Sequence, residues 1–549
     1  MYPDKEEYVL WDSDPLPFFM SPAVVKSRLD RYSLVDNSAR PGTSTIRVYG
    51  ALSTWGDKDF SPLRQNAMNN IFQDPFFVAD PAGAGGVWQR SKDQSVYKVS
   101  PISKLALLGF LKFSTLDPYG MGVEMEGGKP GWNDAMNGLP GLVGSGMSET
   151  YEMFRILKFV KAALGKFDRP VSFPIEFGEF IGKLATALDT FLSSEKDSQA
   201  EFSYWDAANT ARETYRAAVV SVFDGENTSL SAAYLVDLIS KMEKKVERGI
   251  AKALDTNGGL SPSYFYYEAT SYEILPPLTV TEPPLPSKVA AKAFKMHTLP
   301  LFLEGPTRHL KVLGALSDRK KLYELVKNSN LYDKALKMYT LSESLVGMGQ
   351  DIGRMMAFSP GWLENQSVWL HMSYKFYLEL LRGGLYEEFF AEIKTGLVPF
   401  MDNKVYGRSP LEAASFIVSS AFPDPKLHGA SFLARLSGST AEMLSMWALM
   451  FAGPTPFSLD KDGLLMLKLE PIIPGWLFGD DGTVSFTFLG AIQVTYYNPS
   501  KADTWKIQPI SASIVDINGH SEVIDGAVFG PFHAGKARDL QVSSIIINY

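Results

Sequence analysis

The chain has no cysteine among its 549 residues, which rules out disulfides, thiolate-bound zinc and thiol catalysis. It also has no apolar run approaching the roughly 18 residues that a membrane-spanning helix needs. The formal charge of −8 is spread without long runs of one sign, so neither a nucleic acid nor a membrane is expected as a partner. Histidine is scarce, and His297, His309, His428, His520 and His533 show no metal-ligand spacing. The opening text, Met1-Tyr-Pro-Asp-Lys-Glu-Glu, carries no basic segment followed by an apolar one. A cytoplasmic location is therefore the expectation.

What is present is a generous aromatic share, 13% of residues within a hydrophobic 45%. That is enough to fill a large core, where most aromatic rings reside, with some left over for stacking on sugars. Residues 1–100 read as an irregular N-terminal region rich in Pro, Asp and Ser, with a Gly83-Ala-Gly-Gly86 loop whose glycine spacing is wrong for dinucleotide binding. Helical periodicity begins at Ile102. Ser148 suits an N-cap, and Met153, Ile156, Leu157, Val160 and Leu164 recur at helical spacing. Further helices are predicted at about 176–193, 203–223 and 229–254. The proline-rich stretch 275–286 cannot be helical. Helical text resumes at about 288 and again at 318–328, 331–345, 367–382, 386–398, 409–421 and 439–452. Beyond Asp462 the pattern changes, and 464–469, 483–488, 491–497, 510–517 and 540–547 read as strands. The organisation predicted is a mainly α chain: residues 101–461 form a toroid of paired helices, and 462–549 form a small C-terminal β-domain of sandwich type.

One stretch, Gly127-Gly-Lys-Pro-Gly-Trp-Asn-Asp-Ala-Met-Asn-Gly138, stands apart. Its glycines and proline break regular structure, and they frame a flat ring, amides and one carboxylic acid. Those groups suit the apolar face, the hydroxyls and the glycosidic oxygen of a sugar; an ordinary Asn-Asp turn would read the same way. Two more blocks follow in order: Ser359-Pro-Gly-Trp-Leu-Glu-Asn-Gln-Ser-Val-Trp-Leu-His371 and Leu436-Ser-Gly-Ser-Thr-Ala-Glu442. After them come Asp462-Gly-Leu-Leu and Pro471-Ile-Ile-Pro-Gly-Trp476. From about residue 100 to 480, this series resembles the inverting glycoside phosphorylases of the cellobiose, chitobiose and β-glucan phosphorylase type.

The resemblance implies an (α/α)6 barrel of the six-hairpin glycosidase kind and reversible phosphorolysis of a β-linked glucan or gluco-oligosaccharide to a sugar 1-phosphate. Asp134 would be the general acid, with Trp132, Asn133, Glu364 and Asn365 contacting sugar. His371, Ser439 and Thr440 would hold inorganic phosphate, the co-substrate, and no other cofactor is implied. Many family members have Asp where this chain has Gly131. The chemistry needs one acid and a held phosphate, because phosphate is itself the nucleophile. An inverting hydrolase would instead need a second carboxylate about 6.5–9.5 Å from the first, with Glu364 and Glu442 as candidates. A non-catalytic carbohydrate-binding subunit is a third reading.

The bland alternatives stay open at this point. His371 also suits an apolar helix face, Ser439 and Thr440 suit a helix cap, and Glu364 with Asn365 suits a helix start. The family's Arg-Asp-rich sugar block and N-terminal β-sandwich have no counterpart in residues 1–120, where Leu29-Asp-Arg-Tyr32 and Ser38-Ala-Arg-Pro41 match poorly. The expectation is therefore an N-terminal partner chain or segment, or a homo-oligomer.

Overall fold

The computed structural model describes residues 16–17, 91–95, 97–125, 131–194, 199–219, 222–274, 289–409, 412–433 and 437–549. The readings made for the rest of 1–90, for 127–130 and for 275–286 lie outside the described residues. The chain divides into two compact units. Unit 1 holds residues up to Val312 together with Ser342–Gln366, and unit 2 holds Leu313–Leu341 and Ser367–Tyr549.

Unit 1 is built on helices α1 (Pro101–Phe113), α2 (Met147–Phe167), α3 (Ile175–Ser193), α4 (Ala200–Val219), α5 (Ala232–Asp255) and α6 (Glu304–Val312). Their local causes are plain in the text. The Ser100 hydroxyl accepts from the Ser103 N–H, with Pro101 at the first helical position of α1. Ser231 caps α5 in the same manner through the Tyr234 N–H. In α5, Leu235, Leu238, Ile239, Met242, Val246 and Ile250 are buried at helical spacing, leaving one apolar stripe to pack. Helix α2 packs against α1, α5 and α6, while α3 pairs with α4. A four-stranded antiparallel sheet runs β1 (Val123–Glu124), β2 (Ser145–Gly146), β3 (Tyr264–Ile274), β4 (Val289–Thr298).

Unit 2 contains α7 (Leu316–Asn328), α8 (Leu370–Arg382), α9 (Tyr386–Gly396) and α10 (Ser437–Ala452), with α8 packed on α9 and α10. Its C-terminal part carries β5 (Thr483–Phe488), β6 (Ile492–Tyr497), β7 (Ser511–Asp516), β8 (Ser521–Asp525) and β9 (Val542–Asn548) in one sheet of order β5-β6-β9-β7-β8. Only the β6–β9 pair is parallel. Ala512, Ile514, Val494, Tyr496, Ile545 and Ile547 alternate onto the face that forms a separate core.

The expected (α/α)6 barrel is corrected here. Helices are abundant, but they are shared between two units and interrupted by small sheets. Periodicity reports which face of each helix is buried, and does not report which helices share a ring. Several local expectations fall with it. The stretch at 331–345 forms the short strands Tyr332–Asp333 and Met338–Tyr339, and 409–421 contains the strand Phe416–Ile417 rather than a helix. The stretch from 289 is β4, although Ala, Lys and Met favour helix; pairing opposite the aromatic strand β3 overrides propensity, with Tyr267 facing Met296 and Tyr266 facing His297. The α2 N-cap is Gly146, not Ser148, whose buried hydroxyl makes no hydrogen bond. No helix among the described residues is long and apolar enough to cross a membrane.

Candidate functional site in unit 1

The Trp-Asn-Asp segment is held at its C-terminal end by backbone. Asp134–Met136 is a single 3-10 turn, capped by the Asn133 side chain, which accepts from the Ala135 N–H. The turn packs on a second 3-10 turn, Arg354–Ala357. Between them the Gly138 N–H donates to the Ile352 carbonyl at 3.3 Å, and the Arg354 N–H donates to Asn137 Oδ1 at 3.1 Å. The Asp134 backbone is thus described, and its side chain lies outside the described set.

Trp132 is 41% exposed, yet its ring is anchored. Its indole N–H donates to Glu304 Oε2, and the Tyr264 hydroxyl donates to the same oxygen at 2.8 Å. Glu304 is 3% exposed and opens α6, where an acid at a helix N-terminus is favourable. Arg308, one turn on, brings its Nε to 3.8 Å from Glu304 Oε1 and gives Nη1 to Glu152 at 2.7 Å. Glu152 also takes Lys311 at 2.7 Å and Arg155 at 2.5 Å. Burial alone would raise the Glu152 carboxyl, but these cations outweigh it and hold it down at about 2.

Glu149, in the first turn of α2, completes the group. Its Oε2 is enclosed without a hydrogen-bond partner. Gly146 leaves the room for it: a Cβ there would fall 2.2 Å from that oxygen. A Cβ on Gly131 would come within 3.9 Å of Oε1, so Glu149 lies beside the Trp-Asn-Asp segment. Burial, and then the charge of Glu304, push the Glu149 carboxyl up to about 7. Close by on α6, His309 stacks on Tyr151 at 5.1 Å, and burial lowers its imidazole to about 4.

Glu149 ties stability to pH. Its pKa is about 7 folded and 4.5 in the ordinary state. Between those values the folded chain binds more protons than the unfolded one, so stability falls as pH rises through that window. Glu149→Gln is expected to match the parent at low pH and to gain on the order of 2 kcal/mol above neutrality. Denaturant melts at acid and alkaline pH measure this, and equal stabilities at both would refute it.

Glu364 and Asn365 sit in a turn of unit 1, not at a helix start. The Asn365 side-chain amide donates to the Phe358 carbonyl at 2.8 Å and so ties the turn to the segment that packs on Asp134–Met136. Asn365 is buried and Glu364 half-buried. Trp132, Asn133, Asp134, Glu364 and Asn365 therefore all belong to unit 1, and Asn365 reaches the Asp134 turn only through the backbone at 354–358.

His371, Ser439 and Thr440 fall in unit 2. His371 is in the first turn of α8, and Ser439 and Thr440 are in the first turn of α10. These helices pack together, and Lys375 reaches Glu442 at 3.8 Å, each about one turn beyond His371 and Ser439. The two N-termini thus lie at the same end, and neither carries an acid in its first turn, an arrangement that favours anions. Burial, with a smaller effect of Lys375, lowers the His371 imidazole to about 3. Any anion it meets near neutral pH receives a neutral N–H, worth about 1 kcal/mol, and not a charged one. A phosphate held at these helix ends is accordingly expected to lose no more than roughly 10-fold in affinity on His371→Ala, read by titration calorimetry. The ratio to the parent should stay flat across the pH range in which an ordinary histidine titrates. An inflection near the usual histidine value would show that His371 is charged when the anion binds.

Sequence reasoning missed Glu149, Glu304, Tyr264 and Arg308. Glu149 had a local signal only as an acid in the first turn of an apolar-periodic helix, where helix-start chemistry accounts for it. Glu304 and Tyr264 had none, because Glu304 reaches Trp132 across 172 residues of chain and Tyr264 reaches Glu304 across 40. No family model matches the chain, and no curated protein matches it.

Proposed function

We propose that the chain cleaves β-linked gluco-oligosaccharides by inverting phosphorolysis, with Asp134 as the general acid. The observation that carries the reading is Trp132, two residues before the acid. It leaves ring surface open while its N–H is fixed on buried Glu304. A solvent-facing ring fixed in this way is a platform for the apolar face of a pyranose, and the backbone of Asp134 opens a capped turn close by in the chain.

The reaction is a single displacement. The Asp134 carboxyl gives its proton to the glycosidic oxygen as the bond from that oxygen to the anomeric carbon breaks. A phosphate oxygen attacks the same carbon from the opposite face, so a β-linkage yields an α-configured sugar 1-phosphate. The protein supplies the proton and the orientation, and phosphate supplies the electron pair.

The test incubates the full chain with a panel of β-linked glucose disaccharides, with and without inorganic phosphate, and follows sugar 1-phosphate by phosphorus NMR. Phosphate-dependent appearance of the α-anomer supports the reading. Release of reducing sugar without phosphate would establish the hydrolase alternative. Binding without turnover in either condition would make the chain a carbohydrate-binding subunit.

A further inference from the structure

We propose that Glu304 is the positioning residue that sets the Trp132 ring in its working orientation, and that it does so fully only while Glu149 carries a proton. This deepens the carbohydrate reading above and rests on it for its consequence in sugar binding, though not for the device itself.

The argument begins with the single oxygen that receives two donors. Glu304 Oε2 accepts from the Trp132 indole and from Tyr264, so the side chain is oriented before any ligand arrives. Glu304 is buried and Trp132 is not, which makes the carboxyl the fixed partner and the ring the part it places. Two hydrogen bonds converging on one enclosed acceptor define a plane more tightly than packing alone. Glu149 adds a second enclosed carboxyl that has an oxygen with no partner and that senses the Glu304 charge. Protonated, it leaves Glu304 as the one negative group of this pair, with the Arg308 Nε at 3.8 Å. Ionised, it sets two like charges in an enclosed space, where repulsion is only weakly screened.

The other groups around Glu149 do not answer in the same range. From α1 comes Lys112, and from α6 come Glu304 and Arg308, as the charges that act on it. Glu152 and Lys311 pair close by. Burial holds the His309 imidazole low, the cations hold the Glu152 carboxyl low, and burial with the nearby carboxyls holds the Tyr264 hydroxyl well above its ordinary range. Of these displaced groups, only Glu149 changes charge around neutral pH.

The experiment labels tryptophan side chains with nitrogen-15 in the full chain, assigns the Trp132 indole N–H through Trp132→Phe, and follows its proton shift from about pH 5.5 to 8.5. The expected result is a shift typical of a strong hydrogen bond at low pH that moves through one inflection near neutrality. Glu149→Gln should remove the inflection and keep the low-pH position. Glu304→Gln should move the resonance at every pH and weaken cellobiose or laminaribiose binding by roughly 5- to 10-fold, the scale of one hydrogen bond. Tyr264→Phe, which leaves the carboxyl pair whole, should keep the inflection and serves if Glu304→Gln does not fold. A Trp132 resonance insensitive to pH, or an inflection that survives Glu149→Gln, overturns the proposal. An intact inflection with no binding of either disaccharide leaves the device standing and counts against the carbohydrate function instead.

Discussion

In the proposed phosphorolysis, Asp134→Asn is expected to lower turnover by at least about 100-fold, the lower end of what a general acid contributes. That corresponds to about 2.7 kcal/mol in the barrier. The described contacts that hold this turn lie on other residues. The cap of the Asp134–Met136 turn is the Asn133 side chain, and the contacts to 349–357 are made by Asn137 and the Gly138 backbone. None of these is removed by exchanging an acid for its amide at Asp134. Folding stability should therefore stay within the small range typical of tolerated substitutions, and disaccharide binding should change little. Steady-state rates and calorimetric binding on the same preparation decide it: near-normal turnover would place the acid elsewhere.

Gly138→Ala is expected to be the most damaging small change near the site. Its φ of −85° is ordinary for any residue, so the effect is one of volume alone. A Cβ there would lie 1.8 Å from the Asp351 carbonyl oxygen. The opposing strand of backbone has little freedom to retreat. Gly353, at its centre, holds φ +135°, a conformation open to glycine, with its own missing Cβ facing the Ala135 carbonyl at 2.5 Å. Overpacking of this kind costs about 1–3 kcal/mol, which in a unit of this size should appear as a drop of about 1–4 °C in the melting temperature. Because the clash separates the Asp134 turn from its support, activity should fall with stability. Gly182→Ala is the natural control. It sits inside α3 with nothing within 4 Å of the new Cβ, and should stabilise the helix by up to about 1 kcal/mol. Equal melting temperatures for the two variants would refute the account of backbone contact.

Where a side chain acts on its own neighbourhood, it was readable in the text. The helical stretch 229–254 and the strands at 483–488, 491–497, 510–517 and 540–547 are local patterns, and the structure places α5, β5, β6, β7 and β9 within three residues of where they read. The ends drifted where a partner decides them. Helical periodicity at 331–345 lost to short strand pairing, and the Ala-Lys-Met composition of β4 lost to an aromatic strand eleven residues long. The barrel failed for the same reason at a larger scale, since the face a helix buries is a local property and the identity of its neighbour is not.

The same division runs through the candidate site. Composition determined that no thiol chemistry is possible, and the Trp-Asn-Asp text with its surrounding glycines marked an irregular segment with one acid. Only the tertiary structure brought Glu304 to the Trp132 indole and Tyr264 to Glu304, set Glu149 in the space beside Gly146, and buried the His371 imidazole so that it stays neutral. The physical reason is that a pKa, an enclosed oxygen and a ring orientation depend on what surrounds a group in space. These surroundings are assembled from residues that the chain keeps far apart.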